Sequence, residues 1–533
     1  MAVGALLLAL SACTPSTPSV DGPANPSDPT NPNPNPNPNP NPQRCEPPQT
    51  RARRLSLGEV ERSLRDLFPT VSLGATGLPT DPRPAEFDND VDALQPSALW
   101  VEGMHRVAIR AADAIVVDAA VAVGCDVTDA ACAEGYVAAL GERAFRRPLD
   151  ADERADVHSF FVDAPGASDA RVGLTLAIEY VLQSPGFLYR VDVVDAADAT
   201  RVDALSFATR LAFFVWGSLP DDELRRAAIA GELETDAQVE AQVRRMLSDP
   251  RAAAASLAFH AQWLDFERLD RTVKAAEDGF TDELRRGFAL EQEKLITDTL
   301  FANNASAISL LTTRSAHLTP ATAEFYGVDD SADLDNAVEL GAERGGLLRR
   351  GGFLASHAHP RHPSPVQRGV FVLDRLLCTE LGAPPADADV SPPVPDEEAA
   401  LQTNREVVEE RTMTGSCAGC HAMINPIGYT FEGYDTLGRV RTHDGGLPVD
   451  VNGGLFGDPV HGADELITRL QGDGEVQRCS VRKLLTQAWG DVDVGFNDCL
   501  VDDVLARAPS AGVQDVIAAI ATHKSFRAAE VTQ

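Results

Sequence analysis

The chain has 533 residues, 44% of them hydrophobic, which is too long for one compact domain and enough to bury several cores. A formal net charge of −34, with basic residues that are nearly all arginine, repels phosphate backbones and argues against a nucleic-acid partner. No G-x-S-x-G, H-E-x-x-H or phosphate-binding glycine loop is present, so hydrolase and nucleotide-dependent chemistry find no support.

Residues 1–13, MAVGALLLALSAC, form an apolar run that ends in Leu10-Ser11-Ala12-Cys13 and is similar to a bacterial lipobox, with Cys13 as the lipidated residue. The run suits a signal segment and is too short for a permanent membrane helix. No Lys or Arg precedes it, so an ordinary export signal or a mis-assigned start is also consistent with it. Thr14 in place of Asp directs the expectation to the outer membrane. No later segment is long and apolar enough to span a bilayer. Residues 14–50 follow as a Pro/Asn-rich linker, with six Asn-Pro dipeptides from Asn31 to Pro42. Proline at alternate positions removes backbone donors and disfavours helix, so an extended spacer is expected.

From residue 51 the periodicity is helical, and a mainly α, multi-domain body is expected. We divide it into 51–190, one or more N-terminal helical domains; 200–330, a central helical domain; and 340–400, a helical segment running into a Pro-rich linker. Ser56 and Glu59 form a capping box, with Leu57, Val60, Leu64, Leu67 and Phe68 on one face before Pro69. ALSFATRLAFFVWG reads as a buried helix stopped at Gly217, and the next helix as starting with Pro220 in its first turn. Asp88, Asp90 and Asp92 suggest a calcium loop, but Ala93 and Leu99 stand where an EF-hand needs Gly and Glu, so a solvated or capping acidic turn is expected. Residues 401–533 are expected to form a small α-rich C-terminal region with a short hairpin within RVRTHDGGLPVDVNGGLFG.

Nine cysteines fit an exported chain. Cys125 with Cys132, and Cys479 with Cys499, are close enough in sequence for local disulfides, while Cys45 and Cys378 are left over and could pair with each other. Cys417 and Cys420 belong to Ser416-Cys-Ala-Gly-Cys-His421, a C-x-x-C-H pentad. In that spacing two thiols can add across haem vinyl groups, and the adjacent His421 ligates iron. A surface disulfide, a zinc half-site and a redox dithiol are the competing readings. The second axial ligand is not a later methionine, because none follows Met423. Met413, His357, His359 and His362 upstream, His443, His461 and His523 downstream, or an open position remain. The three upstream histidines could also hold a metal of their own, although a polar, Pro-broken loop accounts for them more simply. Arg439 and Arg441 are candidates to pair with haem propionates, or with Glu432 and Asp435.

The stretches LSLGEVERSLRDLF, FRRPLDADE, IEYVLQSPGFLYRVD, LSFATRLAFFVWGSLPDDEL, RGGLLRRGGFLASHAHPRHPSPVQRG and CAGCHAMINPIGYTFEGYDTLGRVR together resemble the planctomycete-surface-domain cytochromes. These are large secreted bacterial proteins built from consecutive domains of unknown function, and the resemblance covers about residues 51–530. It implies one covalent haem c at Cys417 and Cys420 with His421 as ligand, and a surface or periplasmic location. It supplies no reaction. The expected function is electron transfer between exported redox partner proteins, with the chain held to a membrane by its lipid. The alternatives are a haem-dependent, peroxidase-like oxidoreductase with an open distal site, and a non-catalytic surface scaffold.

Overall fold

The first helix follows directly from its cap. In the computed structural model Leu57–Leu67 begins at Ser56, whose hydroxyl accepts the Glu59 N–H while the Glu59 carboxylate accepts the Ser56 N–H at 2.9 Å. Val60, Leu64, Leu67 and Phe68 are buried, as the periodicity requires. The structure describes residues 52–84, 86–117, 123–124, 126, 129–162, 169–329, 332–382, 402–495 and 497–529. The signal segment with Cys13, the spacer, Cys45, Cys125 and the Pro-rich linker at 383–401 lie outside the described residues.

Glu59 has a second task. Its carboxylate pairs with Arg53 at 2.8 Å, both side chains being 5% exposed, and lies 3.7 Å from Arg190 on the paired strand Tyr189–Arg190. Burial alone would raise its pKa, but Arg53, Arg190 and the Ser56 N–H hold the carboxyl below its ordinary range. A carboxyl lowered in the folded state contributes stability above its unfolded pKa and loses it as the pH falls through the folded one. Glu59→Gln keeps the capping acceptor but strands two buried guanidinium groups. At pH 7 it should cost roughly 3–5 kcal/mol. Urea unfolding over a series of falling pH values should show that gap shrinking once the pH drops below the ordinary carboxyl range and on through the lowered native pKa.

Helices Ala98–Val117, Ala130–Ala144, Ala151–Val162 and Ala170–Gln183 close the N-terminal core around Trp100, Met104, Val137, Ile178 and Val181. FRRPL and QSPGFLYR meet here. Arg146, buried and at φ 63°, donates to the carbonyls of Ala144, Gly186, Phe187 and Tyr189. Burial pushes this guanidinium down to about 10. The acidic turn is a cap, since Asp90 accepts the N–H groups of Asp92 and Ala93 at 2.9 Å. Its neighbour Asn89 donates to the Gln487 carbonyl at 2.7 Å, tying this segment to the C-terminal helices.

The second core takes Phe87 and residues from Val202 to Ala529, and joins the central helices to the C-terminal ones. Helix Ala204–Val215 ends at Trp216, followed by Gly217 at φ 60°, the position reserved for glycine. The following helix is Asp222–Ile229 with Asp221 as N-cap, so Pro220 stands before the helix and not in its first turn. An aspartate whose side chain accepts the Leu224 N–H outcompetes proline as the start signal. Phe526 packs against Phe214, Trp489 and Phe207 at 5.4, 5.1 and 6.3 Å, and Trp263 donates to the Arg375 carbonyl at 2.7 Å. The expected hairpin region holds two: His443–Asp444 with Leu447–Pro448, and Asn452–Leu455 with Asp458–His461. The protein is mainly α, and none of the described helices is long and apolar enough to cross a membrane.

The cysteine pairing differs from sequence proximity. Cys479, fully buried on helix Glu475–Trp489, bonds to Cys378 with Cα atoms 5.4 Å apart, so it is partner neither to Cys499 nor, through Cys378, to a Cys45–Cys378 bridge. The helix faces inward at Cys479, and the π-helix Val372–Leu376, which ends just before Cys378, packs against it, which outweighs nearness along the chain. Cys132 and Cys499 are each in a disulfide as well.

Candidate functional site

The C-x-x-C-H segment is built from two helices and the turn between them. Asn404–Thr412 starts at a capping box of Thr403 and Glu406; Gly415, at φ 59°, turns the chain; Ala418–Tyr429 follows directly from Cys417. Cys417 is half-buried, Cys420 is exposed, and both thiols are free. Three residues apart at a helix start, they share one face, with His421 next to them. The surrounding surface is small or apolar: Gly419 opens on empty space, Ala422 is exposed, and Met413 and Met423 are 44% and 42% exposed.

His421 is held from behind. Its Nδ1 lies 2.9 Å from Oδ1 of Asn425, four residues along and 1% exposed. Asn425 in turn donates from Nδ2 to Thr412 Oγ1 at 2.7 Å, and Thr412 donates to the Val408 carbonyl at 2.6 Å. The Arg405 guanidinium lies over the Tyr429 ring at 4.2 Å, adding a second tie between the two helices. Neither Asn425 nor Thr412 stands out in the sequence, although a His and an Asn at i and i+4 of one helix are natural partners.

Three glycines clamp the site helix. A Cβ at Gly428 would lie 1.9 Å from the Pro365 carbonyl oxygen, and one at Gly369 would lie 2.1 Å from that of Ile424. Helix Pro365–Phe371 therefore crosses the site helix backbone to backbone. On another side Gly453 of the second hairpin approaches the Pro426 carbonyl, where a Cβ would stand 2.0 Å away. SPVQRG and NPIG are thus two halves of one contact.

The FEGYD turn completes the support. Phe431 is buried, and the carbonyls of Phe431, Asp435 and Leu354 each accept from the fully buried Arg368 at 3.1 Å. Burial pushes Arg368 down to about 10. Burial raises the Glu432 carboxyl, against the pull of Arg441 and Arg368. Arg441 is spent on Glu432 at 2.8 Å and Asp444 at 2.9 Å. Arg439 donates to the Asp278 carbonyl at 3.0 Å and lies 3.8 Å from Asp435. Both arginines are therefore found in the ion-pair arrangement that competed with a propionate role.

The other candidate ligands are scattered. His357 is buried between Phe353 and Phe371, at 4.5 and 4.9 Å, with its pKa well below normal because of that burial. His359 and His362 close a turn through a 2.8 Å backbone bond, and burial first, then Lys274, pushes His359 down to about 4. Lys274 donates to the Ala358 and His359 carbonyls and to Thr436. His443 and His461 are exposed, bonding Thr442 and Asn452. His523 is buried and accepts the Ser525 N–H. Among the described residues no three His, Cys, Asp or Glu side chains group to hold a metal ion.

Two free thiols on one face, a histidine whose second nitrogen is already bonded, and an apolar exposed surround fit a covalently attached haem. Four family models match the chain in order: PSD3, protein of unknown function (DUF1587), at residues 53–117; PSD5 (DUF1595) at 132–192; PSD4 (DUF1592) at 202–328; and PSCyt3 (DUF1588) at 344–444, which contains the pentad. No curated protein and no solved structure matches. With these four domain types following one another from residue 53 to residue 444, the chain belongs to the planctomycete-surface-domain family, whose last matched domain here is cytochrome-like.

Proposed function

We propose that the protein is a mono-haem c-type electron carrier, with haem c joined to Cys417 and Cys420 and ligated by His421. The observation that carries this reading is the pairing of two free thiols with a histidine tethered through Nδ1, all on an open, apolar face. Haem bound there would supply one-electron chemistry at iron. The chain's own residues do the rest. The thiols fix the macrocycle's position, and His421 offers a nitrogen to the iron. The glycine-clamped helix keeps the three from drifting apart. Export, with Cys13 as lipid anchor and exported proteins as redox partners, is part of the same proposal. The buried Cys378–Cys479 disulfide supports it, as such bonds persist in oxidising compartments.

His357, His443, His461 and His523 each bond to neighbours of their own, and this favours one alternative, a haem with an open distal position and peroxidase-like turnover. The optical spectrum of the full chain, produced with a haem-maturation system and challenged with peroxide, separates the two. Electron transfer predicts a low-spin, six-coordinate haem indifferent to peroxide. A high-spin haem consumed or cycled by peroxide would establish the enzyme instead, and protein without haem would leave only the scaffold.

A further inference from the structure

We infer that Asn425, backed by Thr412, is a positioning residue that decides which nitrogen of His421 is offered outward. The chain of donors sets the direction. The Thr412 hydroxyl has one proton, and it goes to the Val408 carbonyl at 2.6 Å. Thr412 Oγ1 is then left as an acceptor, which Asn425 Nδ2 fills at 2.7 Å. The amide oxygen must therefore face His421 Nδ1, at 2.9 Å, and an amide oxygen can only accept. Nδ1 carries the ring proton, and Nε2 keeps its lone pair free. Flipping the amide would need the Thr412 proton for Asn425 and forfeit the bond to Val408. One hydrogen bond of difference favours the observed orientation by about tenfold. Asn425 is 1% exposed, so water does not replace the lost partner cheaply.

With Nδ1 so engaged, His421 is left to act as a donor through Nε2. For its consequence at a haem, this role rests on the function proposed above. There, a neutral amide acceptor behind Nδ1 gives the ring moderate basicity. Asn425→Asp, a stronger acceptor, should lower the reduction potential, and Asn425→Leu should raise it.

The test reads the tautomer itself, on the full exported chain produced without haem attachment and labelled with 15N-histidine. The His421 resonances are those lost in His421→Gln. The wild type should show a protonated Nδ1 and an unprotonated Nε2. Asn425→Leu should return the ring to the mixed tautomers of free imidazole, Asn425→Asp should restore the Nδ1–H form, and Thr412→Val should shift it part of the way toward the mixture. Circular dichroism checks that each variant is folded; should Asn425→Leu not fold, Asn425→Asp and Thr412→Val still decide. A wild-type His421 protonated at Nε2, a tautomer unmoved by Asn425→Leu and Thr412→Val, or loss of the Nδ1–H form in Asn425→Asp would overturn the assignment. Because this measurement needs no haem, its failure and a failure of haem attachment are separate results.

Discussion

Replacing Cys378 and Cys479 together by alanine should lower the unfolding free energy by about 4.7 kcal/mol, the chain-entropy value for a loop of this size. The bond closes a separation of 101 residues, and that loop contains the C-x-x-C-H segment, both hairpins and the FEGYD turn. Without it, the site's own scaffold is joined to the central helices by packing and by non-covalent polar ties, among them Arg368 to the Phe431 and Asp435 carbonyls, Lys274 to Thr436 and Arg439 to the Asp278 carbonyl. Urea unfolding under non-reducing conditions should show the loss as a shifted midpoint, with the transition of the 130–183 helices least affected. A midpoint within about 0.5 kcal/mol of wild type would mean that the second core holds this loop unaided.

The glycine crossing should be nearly as sensitive. Gly428→Ala places a methyl 1.9 Å from the Pro365 carbonyl oxygen, far inside any real contact, and backbone cannot step aside as a side-chain tip can. We expect a loss of roughly 3 kcal/mol, the upper range for overpacking, and a similar one for Gly369→Ala. The same helix supplies its own control. Gly419 has no atom within 4 Å of its would-be Cβ, so Gly419→Ala should be neutral or stabilising by about 0.5–1 kcal/mol. Equal unfolding midpoints for Gly428→Ala and Gly419→Ala would contradict the backbone-to-backbone crossing.

Short-range features are legible in the sequence alone. The Ser56–Glu59 capping box, the helix stop at Gly217 and the acidic turn at Asp90 all depend on residues within a few positions, where spacing and geometry are nearly the same statement. The pentad is legible for the same reason. What stays hidden depends on contacts across tens or hundreds of residues. Nothing local in SPVQRG says that its glycine meets the Ile424 carbonyl, and nothing near Cys479 points to a partner 101 residues back. Arg146 shows the limit well: nothing local in FRRPL points to its partners, whereas the fold buries it as the shared donor for four carbonyls. Asn425 lies between these cases. Its i, i+4 spacing to His421 is visible in the sequence, but its value as a tether emerges only with Thr412, which the turn at Gly415 brings alongside.

A thioether-bound haem is the claim on which the functional reading depends, and mass decides it most directly. The full chain, exported from a host with a haem-maturation system, should carry the mass of one haem through denaturation and give a c-type pyridine haemochrome spectrum. Cys417→Ala/Cys420→Ala should lose both. If wild type and double variant differ only by the substituted side chains, the haem reading is wrong and the open face around His421 serves something else.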